Sequence, residues 1–412
     1  MHLTQAEQAM LQGDHGDSVR QAITQQIEVG KFFGAERFVE VTNVHMMGDV
    51  EVMGEHGLKF LRNATQSGAT AVRPLTTNAR CVDFAWAHAL GQQDSVVEQE
   101  KEIISCLQTI GATAVDTCIN YQTVYQPHLG EHVAWGDTGT VIYANSVFGA
   151  RSNFESGPAA LAASLTGRTP AYGFHLDEYR RGSFIVELDA DLKDLADWGV
   201  IGKIVGEADQ DYAAVPVFTG VKQVPDSDSL KHLGASLASY GSMGMFHMVG
   251  VTPEAHTLEM AMGGREPVKT LKITNKEIQA VYDAYPLGDG SASIVVFSGP
   301  QLSLFELEQL VKLFDGRRRH ADTAVFVTTS PAILAEARRL GIAQKLEASG
   351  VGILQGVCFY LLERLSEIRR EKGWDNFISN SAKIVNTITA HRFHTILRRT
   401  QECVEIAVRG RL

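Results

Sequence analysis

Short β-branched runs alternate with amphipathic stretches along most of the chain. The runs RFVEV (37–41), TAVRPL (70–75), TAVDTC (113–118), TVIYA (140–144), FIVEL (184–188), ASIVVF (292–297) and TAVFVT (323–328) predict strands. The stretches 17–33, 55–66, 95–110, 158–166, 229–239, 302–314 and 331–340 carry the helical period. Strand and helix in alternation predict an α/β protein with layered, largely parallel sheets. A Gly/Ser loop, YPLGDGSAS (285–293), divides the chain into an N-terminal α/β region, 1–285, and a C-terminal one, 286–412.

Composition narrows the function classes. The 412 residues are 44% hydrophobic and 21% charged, ordinary for a globular chain with ample cores. A net charge of −11 with no Lys/Arg-rich block speaks against nucleic acid as a partner. The basic cluster RRRH (317–320) reads as a solvated face. Apolar runs such as VCFYLL (357–362) are far short of the ~20 residues a membrane span needs. The N-terminus lacks the order of a signal peptide, and five scattered cysteines give no disulfide framework, so a cytoplasmic protein is expected.

Polar side chains gather at the ends of the predicted elements, where open α/β sheets bind ligands. In ANSVFGARSNFESGPAALAASL (144–165), Asn145, Ser146, Arg151, Ser152 and Asn153 precede a helix start. A guanidinium fork beside two amides suits a carboxylate. Similar clusters are GEHVAW (130–135), GFHLDEYRRG (173–182) and GSMGMFHMVGVTPEA (241–255), the last with His247 and with Thr252 as a predicted N-cap. Each cluster also reads as turn and capping chemistry. The nucleotide, P-loop, zincin, nucleophile-elbow and C-x-x-C fingerprints are missing, and no nucleotide cofactor is expected.

The block 130–178, with LKHLGASLASYGSMGMFHMVGVTPEA (230–255) and SNSAKI (379–384), resembles the signature regions of the aconitase X family. The resemblance runs from LTQAEQAMLQGDHGDSVRQAI at the start to ECVEIA near the end. It implies an aconitase-like fold, several α/β lobes around a central cleft, and hydro-lyase chemistry. Family members dehydrate cis-3-hydroxy-L-proline or mevalonate 5-phosphate, and cis-3-hydroxy-L-proline is the expected substrate here. By the same resemblance Glu131, His132, His175, Asp177 and Glu178 are candidate acids and bases. Asn145, Ser146, Arg151, Ser152, Asn153, His247, Ser381 and Lys383 are candidate substrate-binding residues.

Cluster-bearing relatives use three widely separated cysteines. Two match Cys118 in VDTCIN and Cys358 in LQGVCFY; the third lies in a Gly-Cys-Pro-His element that here reads Ser298-Gly299-Pro300-Gln301. With Gly299 and Gln301 in place of the cysteine and histidine, no conventional [4Fe–4S] cluster is expected. A mononuclear iron or atypical iron–sulfur centre on Cys118 and Cys358, completed by His132, His175 or His247 or by a water, and a metal-free pocket are the two states left open. Cys81, Cys106 and Cys403 are read as structural. The two thiols are expected near one cavity shared with Arg151. The resemblance further implies a small swivelling domain as a separate partner subunit, since none is seen in this chain. Alternatives to dehydration are a changed reaction (an isomerase or metal-independent lyase) and a non-catalytic binding protein.

Overall fold

The computed structural model describes residues 1–286 and 290–412; the predicted boundary loop therefore lies partly outside the described residues. Among the described residues, three parallel sheets and one antiparallel pair are formed. The first sheet orders Ala112–Thr113, Leu75–Thr77, Val44–Met46 and Ala134–Trp135. The second orders Thr270–Thr274, Phe184–Asp189, Pro216–Thr219 and His247–Met248. The third has five strands, Gly352–Gln355, Ala324–Thr329, Ile294–Leu302, Asn376–Ser379 and His394–Leu397. Phe38–Glu40 pairs antiparallel with Arg168–Pro170. All nine residues of Ile294–Leu302 are buried, as a central strand covered by helices on both faces requires.

The helices Leu195–Ala208 and Ser227–Gly241 bring the sheets together. They approach closely because small residues face each other: a Cβ on Gly202 would sit 2.6 Å from the Leu233 carbonyl oxygen, and one on Gly206 2.8 Å from the Gly241 nitrogen. The predicted helices all form, with Leu304–Phe314 capped by Ser303 and Pro331–Arg339 by Ser330. Among the described residues, no helix is long and apolar enough to cross a membrane.

Three predicted strands are corrected. Residues 140–144 belong to the helix Thr138–Tyr143 and to the wide helical turn Ala144–Phe148 that follows. Asp137 caps that helix at the Gly139 amide, 3.0 Å, and every residue from Gly139 to Tyr143 is buried, so no polar face marks a helical period. The run 70–75 contributes only Leu75, since Ala71 and Val72 donate to the helix carbonyls of Ile110 and Ser164. The run 113–118 stops at Thr113, and Asp116 turns the chain with φ 49°. Thr252 caps no helix: its hydroxyl accepts from the Met248 amide at 2.9 Å, and the next helix, Leu258–Met262, is capped by Thr257.

Candidate functional site

The predicted site residues separate into two groups. The first is a brace between the loops at 130–135, 145–155 and 172–180. His132 and Arg151 are joined by a parallel backbone bridge. The Arg151 guanidinium donates to the His175 carbonyl at 3.0 Å and to the Asp177 carboxylate, and this bond holds Asp177 below the usual carboxylate range. The imidazoles of His132 and His175 meet Nδ1 to Nδ1 at 2.9 Å. Burial, reinforced by His175 and Arg151, pulls His132 down to about 4. His175 Nε2 is buried without a hydrogen-bond partner, 3.8 Å from Glu155.

The remaining members of this group serve the scaffold. Asn145 donates to the Ser152 and Gly244 carbonyls, 2.9 and 2.8 Å, and accepts from the Ser152 amide at 2.9 Å. The Ser146 hydroxyl accepts from the Phe246 amide, and the Ser152 hydroxyl lies between the Trp135 amide and the Asn153 carbonyl. Asn153 accepts from the Phe174 amide and the Tyr212 hydroxyl and donates to the Tyr172 carbonyl. Glu131 accepts from Thr42, from Tyr125 at 2.5 Å and from the His128 amide at 2.9 Å; burial opposes its ionisation, but these bonds outweigh it and lower its pKa. Glu178 is exposed, and its backbone carbonyl accepts from Arg265. His247 donates from Nε2 to the Arg180 carbonyl at 2.7 Å, which leaves Nδ1 a buried, unpartnered lone pair. Asn145, Ser146, Ser152 and Asn153, engaged mainly by backbone groups, position loops and have little left for a ligand.

The second group is a buried cluster of side chains where the strand ends of the first and third sheets meet. Cys118 follows the turn at Asp116, Cys358 follows Gly352–Gln355, and Lys383 lies in the first turn of the helix Ala382–Thr387. Ser381 caps that helix: its hydroxyl accepts from the Ile384 amide and donates to the Gly299 carbonyl at 2.5 Å. Burial pushes Cys118 up to about 11 and Cys358 higher, the latter also feeling Cys118. The Lys383 side chain is 7% exposed and its ammonium makes no hydrogen bond or ion pair among the described residues. Burial disfavours that charge, yet Asp137 and the two thiols raise its pKa, so it is retained.

Asp137 and His45 belong to this pocket and escaped the reading of the sequence. His45 Nδ1 bonds the Thr76 hydroxyl at 2.8 Å, which itself donates to the Val44 carbonyl. Its Nε2 is buried without a hydrogen-bond partner. Burial lowers His45 to about 4 against the opposing field of Asp137. Asp137 could have been found as an N-cap before Thr138, had the following run been read as helix; His45, one residue inside an all-apolar strand, left no signal.

Among the described residues no hydrogen bond or ion pair joins Arg151, His132, His175 or His247 to Cys118, Cys358 or Lys383. Trp135, fully buried, touches both groups: its amide donates to Ser152 and its ring stands edge-on to His45, 6.2 Å between centroids.

The pocket does not fit a three-thiolate cluster. A Cβ on Gly299 would lie 2.9 Å from the Ile384 Cβ, and φ there is 65°, so the third position is packed shut. No third His, Cys, Asp or Glu joins Cys118 and Cys358 among the described residues, which removes the expected histidine ligands. The Lys383 cation in the same pocket opposes a further positive charge.

Among the described residues, three parallel sheets layered with helices around buried polar loops define an α/β protein. Family models described as the aconitase X first, second and third domains match residues 1–178, 182–283 and 292–409. The chain belongs to the aconitase X family. It is 31% identical over 414 residues to a Pseudomonas aeruginosa protein named cis-3-hydroxy-L-proline dehydratase, covering 98% of this chain and 70% of that protein. It is 30% identical over 385 residues to a Thermococcus kodakarensis protein named phosphomevalonate dehydratase large subunit, covering 93% and 94%. The crystal structure of Thermococcus kodakaraensis aconitase X, described as the holo-form, superposes with a TM-score of 0.87 at 28% identity, covering 99% of this chain and all of that one.

Proposed function

We propose that the chain is the large subunit of a dehydratase that eliminates water from a small hydroxylated carboxylate, cis-3-hydroxy-L-proline before mevalonate 5-phosphate. The observation that carries this reading is the largely buried Lys383 side chain, which feels Asp137, Cys118 and Cys358 and has no hydrogen-bond or ion-pair partner among the described residues. A buried cation without an acceptor is costly unless an anion completes it. A substrate carboxylate placed there would be held as its α-proton leaves and negative charge builds into it, the moment at which a preorganised cation lowers the barrier. The Cα=Cβ bond forms as the C–O bond breaks, and the β-hydroxyl takes up a proton equivalent to the one removed from Cα and departs as water. The field of Asp137 favours the charged form of the ammonium. The conventional [4Fe–4S] cluster is not part of this reading, because the donor set does not fit it. A small partner subunit would close the pocket and supply the proton acceptor, in keeping with relatives named as large subunits.

The test is turnover. The purified chain, with any co-purifying small subunit, is incubated with each substrate, and loss of the hydroxyl is followed by proton NMR. Dehydration of either carboxylate that disappears in Lys383→Met supports the reading. No turnover of either by the wild-type assembly, or full turnover by Lys383→Met, overturns it.

A further inference from the structure

Gln301 is the most thoroughly bonded side chain in the thiol pocket. It lies near the end of the central strand Ile294–Leu302 and is 1% exposed. Its carboxamide oxygen accepts from the Thr117 hydroxyl at 2.8 Å and from the Cys118 amide at 3.3 Å. Its nitrogen donates to the Asp116 carbonyl at 3.3 Å and to the Val357 carbonyl at 3.2 Å. Its backbone amide points at the Cys118 sulfur, 3.3 Å away. An amide side chain has two donors and two acceptor positions, and all four are used.

These bonds reach both thiol loops. Thr117, Cys118 and Asp116 belong to one, and Val357 immediately precedes Cys358 in the other, 240 residues further on. Gln301 is itself fixed from behind. Its carbonyl accepts from Lys231 Nζ at 3.3 Å, and Lys231 is bound to Asp228 at 2.9 Å and to Glu306. A side chain with every donor and acceptor satisfied, seated on a rigid strand and backed by a buried ionic network, holds its neighbours to one geometry.

We propose that Gln301 is the positioning residue of this pocket: it ties the Cys118 loop to the Cys358 loop by hydrogen bonds alone, so that the pocket stands in its working shape without a metal to bridge the thiols. The inference rests on the reading of the pocket as the substrate site, but the tie between the loops is measurable without any substrate. Gly299 supports it, since the space a third thiolate would need is taken by Ile384.

The experiment uses native, reduced, chelator-washed protein whose iron content is confirmed as zero. Alkylation of each cysteine by iodoacetamide is timed by mass spectrometry, with the buried Cys403 as internal control. Wild-type protein is expected to protect Cys118 and Cys358 equally before and after chelation. Gln301→Met, which keeps the length and removes the four bonds, is expected to raise both rates at least tenfold with Cys403 unchanged. Gln301→Glu keeps the acceptor and loses the two donated bonds. It serves as second variant should the methionine protein fold poorly, and it is expected to expose Cys358 more than Cys118. In both variants kcat should fall more than KM rises. Chelation alone exposing the thiols would overturn the proposal, as would Gln301 variants that leave both rates unchanged or that raise all three cysteines together. Failure of the catalytic reading shows instead as activity that survives Lys383→Met, with thiol protection untouched.

Discussion

His132 and His175 face each other Nδ1 to Nδ1 at 2.9 Å, so one ring must donate and the other accept. Full protonation of both would set two N–H groups against each other. His132 accordingly titrates near 4, well below its ordinary 6.5, first because it is buried and then because His175 and Arg151 lie beside it. Between those values the unfolded chain binds a proton that the folded chain refuses. Stability therefore rises with pH across this window and is lost as pH falls from 6.5 towards 4. His132→Gln keeps a hydrogen-bonding partner and does not titrate, so its unfolding free energy should vary less over the window, by about 1 kcal/mol after allowance for solvent at this half-buried ring. Urea denaturation at pH 4.5 and 7 measures it, and equal pH dependence in the two proteins contradicts it.

Arg151 separates two accounts of the signature loop. As a substrate anchor, its loss would appear in affinity. As a clamp on the His175 carbonyl and Asp177, it would appear in stability. We expect Arg151→Lys, which keeps the charge and loses the fork, to cost about 1–2 kcal/mol of stability while changing KM less than threefold. A tenfold rise in KM with an unchanged melting midpoint would restore the anchor.

The elements with one polar face were legible in the sequence; those buried all round were not. Helix Asp94–Ile110 shows both faces to the solvent-and-core test, whereas Thr138–Tyr143 is apolar or small throughout and reads as a strand. Of the site, Cys118, Cys358, Ser381 and Lys383 came from likeness to a family rather than from spacing, because 240 positions of chain separate the two thiols. Asn145 and Asn153 attracted notice as clustered amides, but their number reflects how many loop amides and carbonyls needed partners. Local composition cannot distinguish an amide that binds a ligand from one that binds its own loop.

Asp49 and Glu100 form a buried acidic pair beside Cys81. Glu100 accepts from the Val50 amide at 2.8 Å, Asp49 caps the helix Val50–Gln66, and one oxygen of each is buried without a partner. Burial, with Asp49 next, pushes Glu100 up to about 8, and burial raises Asp49 to about 6. From pH 4.5 to 8 the folded chain keeps a proton that the unfolded chain gives up, so stability falls as pH rises through that range. Glu100→Gln removes the titration and retains the acceptor for Val50. It should stabilise the protein at pH 8 by on the order of a few kcal/mol and much less at pH 5. A stability difference that does not change between those pH values would show that Glu100 ionises normally.

Two buried lysines make opposite demands on the fold. Lys231, fully buried, is bound to Asp228, Glu306 and the Gln301 carbonyl, and Glu306 also accepts from His232 at 2.8 Å. Lys231→Met would strand two buried carboxylates, and breaking such a network from one side costs about 3–5 kcal/mol. Lys383 has no such partners among the described residues, and Lys383→Met exchanges a desolvated cation for an apolar chain of similar length. The first variant should therefore melt many degrees below wild type, while the second melts within about 1 kcal/mol of it and loses at least a hundredfold in kcat/KM, about 2.7 kcal/mol of transition-state stabilisation. Thermal unfolding and turnover measured on both proteins distinguish the roles. A Lys383→Met protein as unstable as Lys231→Met would make Lys383 a structural ion, and the pocket would lose its anchor for a substrate carboxylate.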